Sequence, residues 1–182
     1  YRIAAVCLLF VSSPCFAQTN VRSLGAAGDG VQDDTAVLQK ALSEGMSDLY
    51  FPKGVYRLTK PLEFDLSKTG FASVTGDGTA SLLMTGPGPA LRFVGNHGGT
   101  AAPVTVNPAI WQKERTPMVA AIEIVGAHPE ADGVEANGTM QLTLTRLVVR
   151  EARHGIHLVQ RNRNVAIADC HIYHNSGVGV FY

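Results

Sequence analysis

The sequence predicts an all-β protein, a parallel β-helix closed at its start by one capping α-helix. Three observations carry this. Only one amphipathic helical pattern is present, near the start. Short apolar strand segments then recur between turn residues, and two segments near the end repeat one another at a spacing of 22 to 23 residues. The chain has 182 residues, with 15 basic against 15 acidic side chains and 19 glycines. That length suits one domain, and the charge balance excludes the basic footprint of a nucleic-acid binder. No apolar run reaches the roughly 18 residues of a membrane span.

Residues 1–17 read as a secretory signal peptide: Arg2, an apolar run from Ile3 to Val11, then Ser12-Ser13-Pro14 and a small residue, Ala17, before Gln18. Pro14 stands where a lipoprotein signal at Cys15 would need a small residue. Residue 1 is Tyr, so the reading frame is expected to start earlier. Removal of this segment takes away Arg2, Cys7 and Cys15, leaving 14 basic and 15 acidic residues and a single cysteine, Cys170. The expected location is therefore secreted, periplasmic or extracellular, with no membrane association after signal removal. Without disulfides, stability must come from a large buried core, in which Cys170 is expected as a small apolar member.

Residues 18–182 form the β-helix part. Val21–Leu24 reads as a short extended start, followed by a Gly-rich loop. Asp33-Asp34-Thr35 opens the helix, expected over about residues 34–44, since either carboxylate suits the free N–H groups of a first turn. Val37, Leu38, Ala41 and Leu42 share one face, and Gly45 ends the helix. Strands follow at Leu49–Phe51, Val55–Leu58 and Leu62–Phe64, with a turn at Pro52-Lys53-Gly54. From Phe71 onward no helix is expected. Apolar pieces recur at Val74, Leu82–Met84, Leu91–Val94, Ala121–Val125 and Leu142–Val149.

The clear repeats lie in residues 142–182. Leu144 matches Ile167, Leu147 matches Cys170, Val149 matches Ile172, and Ile156 and Leu158 match Val178 and Val180. The offset falls from 23 to 22, which implies one deletion in a turn. These pairs are expected to stack, with the alternate residues outward. Because coil-to-coil hydrogen bonds leave a bare edge at each end, the helix is read as the lid of the first coil. The uncapped Val178–Tyr182 end is read as a truncation before further coils.

The run Gly25-Ala26-Ala27-Gly28-Asp29-Gly30-Val31-Gln32-Asp33-Asp34-Thr35, then Leu38 to Leu42, then Leu49-Tyr50-Phe51-Pro52-Lys53-Gly54-Val55-Tyr56-Arg57-Leu58, resembles the start of the pectate lyase superfamily. It is similar to the rhamnogalacturonase/epimerase-like branch related to glycoside hydrolase family 28. The resemblance covers about residues 20–85, and 140–182 as generic coils; about 96–140 matches no motif. It implies a right-handed parallel β-helix that acts on, or binds, acidic or complex polysaccharides outside the cytoplasm. Members include hydrolases, lyases, epimerases and non-catalytic binders, so the fold leaves the reaction open. No cofactor is evident from the residues, and Ca²⁺ is implied by the resemblance alone. Asp29, Asp33 and Asp34 read as turn and capping groups, because an EF-hand spacing fails at Val31.

The paired aspartate motifs of family 28 hydrolases are absent after residue 35, so the visible chain lacks a complete hydrolase site. Between Arg146 and His174 lie five arginines and four histidines against Glu151 and Asp169. Such a cationic run suits a polyanionic sugar, and lyase or epimerase chemistry needs a base beside a neutralised carboxylate. His157 is the best base candidate, turned outward between Ile156 and Leu158. Arg153, Arg161 and Arg163 are candidate substrate ligands; a solvated rim of turn residues is the plainer reading. The pairs His154/His157 and His171/His174 fall on opposite strand faces, so no metal site is expected. Asn162 and Asn164 read as stacked turn residues, and Asn137-Gly138-Thr139 is a glycosylation sequon. The competing class is a non-catalytic, sugar-binding or adhesin-like scaffold.

Overall fold

The computed structural model describes residues 18–99 and 102–182. The signal-peptide reading of residues 1–17 lies outside them. Three parallel sheets run the length of the described chain and are visited in the same order on every turn. This is the right-handed parallel β-helix expected.

The first coil holds β1 (Thr19–Asn20), β2 (Asp29–Asp33) and the helix α1 (Thr35–Ser43). The second holds β3 (Asp48–Phe51), β4 (Gly54–Leu58) and β5 (Leu62–Asp65), followed by a one-turn helix α2 (Leu66–Thr69). The third holds β6 (Ser73–Gly76), β7 (Ala80–Met84) and β8 (Gly88–Val94). The fourth holds β9 (Met118–Ala120), β10 (Glu123–Gly126) and β11 (Ala131–Asn137). Then come β12 (Thr143–Thr145), β13 (Val148–Arg150) and β14 (Ile156–Gln160), and last β15 (Ala166–Ala168), β16 (His171–Tyr173) and β17 (Val180–Phe181).

Strand alternation builds one apolar column per sheet. Leu49, Val74, Val119, Leu144 and Ile167 stack in the first sheet. Tyr56, Leu82, Ile124, Val149 and Ile172 stack in the second. Leu62, Leu91, Val134, Ile156 and Val180 stack in the third. Below the last coil these residues are fully buried. Fully burying each one is worth about 1.5–3 kcal/mol, and stacking lets neighbouring coils bury what neither can cover alone. Cys170 packs against the same core from its edge.

Two of the expected stacks are as read, Leu144 on Ile167 and Val149 on Ile172. The last is shifted: Ile156 pairs with Val180, not Val178, and His157 pairs with Phe181. The offset therefore grows to 24 rather than falling to 22. Val178 is the extra residue. Ser176 and Gly177 N–H donate to the Ala152 and Arg153 carbonyls, the same 24-residue step as His171 N–H to the Leu147 carbonyl. The reverse step, 22 from Arg146 N–H to the Ala168 carbonyl, becomes 23 from Gly155 and Ile156 N–H to Val178 and Gly179. Val178 N–H leaves the ladder and donates to His154 Nδ1 at 3.1 Å. A two-residue slip keeps each side chain on its face, so apolar matching could not detect it.

The cap behaves as expected. Leu38, Ala41 and Leu42 are buried. Gly45, at φ 87°, ends the helix with paired bonds from its own N–H to Leu42 and from Met46 N–H to Ala41, a Schellman closure that a left-handed residue permits. Gln39 adds a contact the apolar pattern did not suggest. Its amide accepts from Glu63 N–H at 2.9 Å and donates to Glu63 C=O at 3.3 Å, covering part of the bare edge of β5. The two aspartates divide their work. Asp33 accepts from Thr35 N–H and hydroxyl, while buried Asp34 turns back to hold Ala27 and Gly28 N–H at 2.6 and 3.0 Å.

Two expectations fail locally. Val21–Leu24 is a 3-10 turn rather than extended, capped by Asn20. Past Phe71 the described residues form a 3-10 turn at Pro103–Thr105 and a π turn at Ile110–Glu114. Both belong to an excursion between the third and fourth coils, described over residues 95–99 and 102–117. Val106, Ile110 and Met140 give this excursion a small core of its own, with Trp111 packed against it. The excursion runs across several coils: Lys113 Nζ donates to the Ser67 carbonyl beside α2, and His97 Nδ1 lies 2.6 Å from the Arg161 carbonyl after β14. Such one-turn elements are held by these contacts and carry no periodic signal.

Candidate functional site

The outward residues of the third sheet form a polar ladder. Register places Glu63, Arg92, Glu135, His157 and Phe181 in one column, one side chain per coil. The four polar members come from apolar–polar–apolar triplets such as Leu91-Arg92-Phe93, so strand alternation buries the flanks and turns the centre out. Arg92 Nε donates to Glu135 Oε1 at 2.7 Å, and its Nη1 lies 3.6 Å from Glu63 Oε2. On the next rung His157 Nδ1 is 4.0 Å from Glu135 Oε2, and Phe181 stacks on the imidazole with centroids 4.7 Å apart.

The face has two borders. The excursion lies along the ends of the third-sheet strands, through Gly95 and His97 N–H bonds to Asn137 and Gly138. The opposite border is the pair of turns that open β11 and β14. There the buried carboxylate of Asp132 accepts from Arg153 Nε and Nη2 at 3.0 and 2.6 Å, and from His154 N–H at 3.0 Å. Burial pushes the Asp132 pKa up, but the Arg153 bonds, the His154 N–H and the guanidinium charge outweigh it, and the net value lies below the ordinary carboxylate range. The same bonds raise the Arg153 pKa.

The four residues singled out from the sequence do not converge. His157 stands on the third-sheet face, half-buried. Arg153 stands at its border and spends two of its nitrogens on Asp132. Arg161, with φ 54°, and Arg163 lie beyond β14, on the turn leading to the first sheet. Arg163 forms a bridge with Met140. Arg150, from the same cationic run, is paired with Glu123 and Glu151. Much of the apparent positive charge is thus neutralised by acids from earlier coils. Asn162 stacks as expected, its Oδ1 accepting from Thr139 N–H and hydroxyl and its Nδ2 donating to Ala136 C=O. Thr139 of the sequon is fully buried.

Glu63, Arg92, Glu135 and Asp132 escaped sequence reading. For the first three the signal was there, a charged residue centred in an apolar triplet, as His157 is. Their separations, from 63 to 92 to 135 to 157, are too uneven to appear as a period.

No three His, Cys, Asp or Glu side chains among the described residues gather to hold a metal. Asp29, Asp33 and Asp34 accept bonds from backbone N–H groups of their own loops. Among the described residues no helix is long and apolar enough to cross a membrane.

Three parallel sheets wound coil on coil, with a helical lid at the first coil, place the chain in the pectate lyase-like class of β-helix proteins. Within it, the profile of the family described as rhamnogalacturonase A/epimerase, pectate lyase-like, matches residues 18–116, and the chain belongs to that family. Among solved structures, the A-module of the mannuronan C-5 epimerase AlgE4 of Azotobacter vinelandii is similar at a TM-score of 0.59 and 18% identity, over 88% of this chain and 52% of that one. The surface protein and adhesin PfbA of Streptococcus pneumoniae is similar at 0.58 and 14% identity, over 85% of this chain and 40% of that one. These likenesses are of fold, and the chain spans about half or less of each structure. No curated protein matches the sequence.

Proposed function

We propose that the chain is part of an exported, carbohydrate-active β-helix protein that acts on an acidic or complex polysaccharide along its third-sheet face. The observation that carries this is the ladder of Glu63, Arg92, Glu135 and His157. It offers one polar group per rung, spaced by about 4.8 Å, along a sheet face bordered on both sides. Export rests on the Arg2–Ala17 pattern.

Lyase or epimerase chemistry suits this face better than hydrolysis. Removing the proton beside a uronate carboxylate needs a base and a nearby cation. His157 keeps Nε2 to accept that proton, with Glu135 placed to stabilise the resulting imidazolium and Arg92 one rung further along. Hydrolysis would need two carboxylates across the scissile bond. Glu63 and Glu135 flank the Arg92 guanidinium, which occupies the space such a bond would need.

A non-catalytic scaffold is the second reading. It is favoured by the fact that Glu135 already accepts from Arg92, Glu63 stands 3.6 Å from the same guanidinium, and the His157 ring is already stacked. The test is incubation of the full-length protein with polygalacturonate, alginate and rhamnogalacturonan. Unsaturated uronate absorbance, or inversion at C5 seen by NMR, is expected with at least one, and is lost in His157→Ala. Co-sedimentation with a polysaccharide without either change would establish the scaffold instead.

A further inference from the structure

Beside the cap, where α1 meets β5, lies a cleft of about 540 Å³, within the range of ordinary small-molecule sites. It is lined by Asp33, Thr35, Gln39, Thr59, Lys60, Glu63 and Arg92. Accounting for its polar groups separates those already satisfied from those left over. Asp33 accepts from the Thr35 N–H and from the hydroxyls of Thr35 and Thr59. Thr35 Oγ1 also accepts from Thr59 N–H at 2.8 Å. Both ends of the Gln39 amide are spent on the backbone of Glu63. These groups build the wall.

Three groups remain. Arg92 uses only Nε in a hydrogen bond, to Glu135, so its terminal nitrogens keep their donors among the described residues. Nη1 stands 3.6 Å from Glu63 Oε2, beyond hydrogen-bond reach. Lys60 is exposed and has no partner among the described residues. The Glu63 side chain is half exposed and accepts no hydrogen bond from them. The cleft thus offers two cations with unspent donors beside one carboxylate with unspent lone pairs. The guanidinium edge that remains, Nη1 and Nη2, suits a carboxylate, and Glu63 suits a hydroxyl.

We propose that this cleft is an acidic-sugar subsite, in which Arg92 and Lys60 take the carboxylate of a uronate residue and Glu63 takes a neighbouring hydroxyl. The inference rests on the polysaccharide reading of the third sheet and extends it. A sugar chain following the ladder would reach the cap and place an acidic unit there. The wall would hold that unit in place, because Asp33, Thr35 and Gln39 are fixed by the fold and need no rearrangement.

The test is calorimetric titration of the full-length protein with trigalacturonate, trimannuronate and the methyl ester of the former. Wild type is expected to bind an acid form, and to bind the ester about tenfold more weakly, the scale of one lost charge-assisted bond. Lys60→Met is expected to weaken binding of the acid by a similar factor and to leave the ester unaffected. Far-ultraviolet circular dichroism and thermal unfolding check that this exposed substitution folds. Equal affinity of Lys60→Met and wild type for the acid overturns the subsite. If His157→Ala still weakens binding in that case, the third-sheet reading stands alone. Absence of binding of any acidic trimer to wild type overturns both.

Discussion

Replacing Asp132 with Asn removes one charge and keeps the shape, and the structure fixes what should follow. Asp132 is 4% exposed and receives three bonds, from Arg153 Nε, Arg153 Nη2 and His154 N–H. An amide at this position can keep two of them at most, because its nitrogen then faces a donor. Breaking a fully buried ion pair by removing one partner costs about 3–5 kcal/mol. The Arg153 side chain is 41% exposed, so water takes over part of its solvation; the discounted cost is about 1.5–3 kcal/mol. The pH dependence has a definite sign. The folded pKa of Asp132 is depressed, so the pair contributes fully above the unfolded value of about 3.9, and that contribution is lost as pH falls through the folded value. Urea unfolding of wild type and Asp132→Asn should therefore show a wide gap at neutral pH that closes in strong acid. A gap under about 0.5 kcal/mol at neutral pH, the size of an ordinary surface change, would refute the role given to the pair. So would a gap that stays constant, or widens, as the solution is acidified.

Asn162→Ala should cost about 2–4 kcal/mol, since it strands the fully buried N–H and hydroxyl of Thr139 and the Ala136 carbonyl together; Asn162→Asp, which keeps the acceptor, should cost less, and equal urea midpoints for the two would refute this. His97→Ala removes the 2.6 Å contact with the Arg161 carbonyl and should speed amide exchange in residues 102–117 about tenfold while leaving the coil strands protected, the signature of a local opening. Unchanged exchange there would mean that the excursion is held without this contact, by its small core and by Lys113 on Ser67.

What the sequence made legible follows from which forces act locally. The Leu38, Ala41 and Leu42 stripe and the terminating Gly45 declare the cap, because helix periodicity and a left-handed end are properties of a dozen consecutive residues. Leu144 over Ile167 was readable because apolar parity and near-equal coil length coincide there. Parity alone could not choose between Val178 and Val180, and only the turn before β17, with Val178 inserted and its N–H given to His154, decides it. The corners follow the same logic. Ala121, Arg146 and Asp169 each turn the chain from the first sheet to the second with φ near 54°, a conformation their side chains do not advertise. It is imposed by ladder bonds from the adjacent coil, such as Arg146 N–H to the Ala168 carbonyl.

The site is harder to read for a related reason. A charge run along the sequence, from Arg146 to His174, looked like a cationic patch because its counter-charges, Asp132 and Glu123, belong to the preceding coil and were not counted with it. In a stacked coil the relevant neighbours of an outward residue are one rung above and below, some two dozen or more positions away. Arg92 illustrates this, set between Glu63 and Glu135 with no acid beside it in the chain. Electrostatics on such a fold is therefore a property of columns. The useful sequence operation is to align the apolar triplets first and read the charges down the stack afterwards. Read that way, the third-sheet column alternates acid, base, acid and histidine, and its Arg92 keeps unspent donors at the cap beside Lys60.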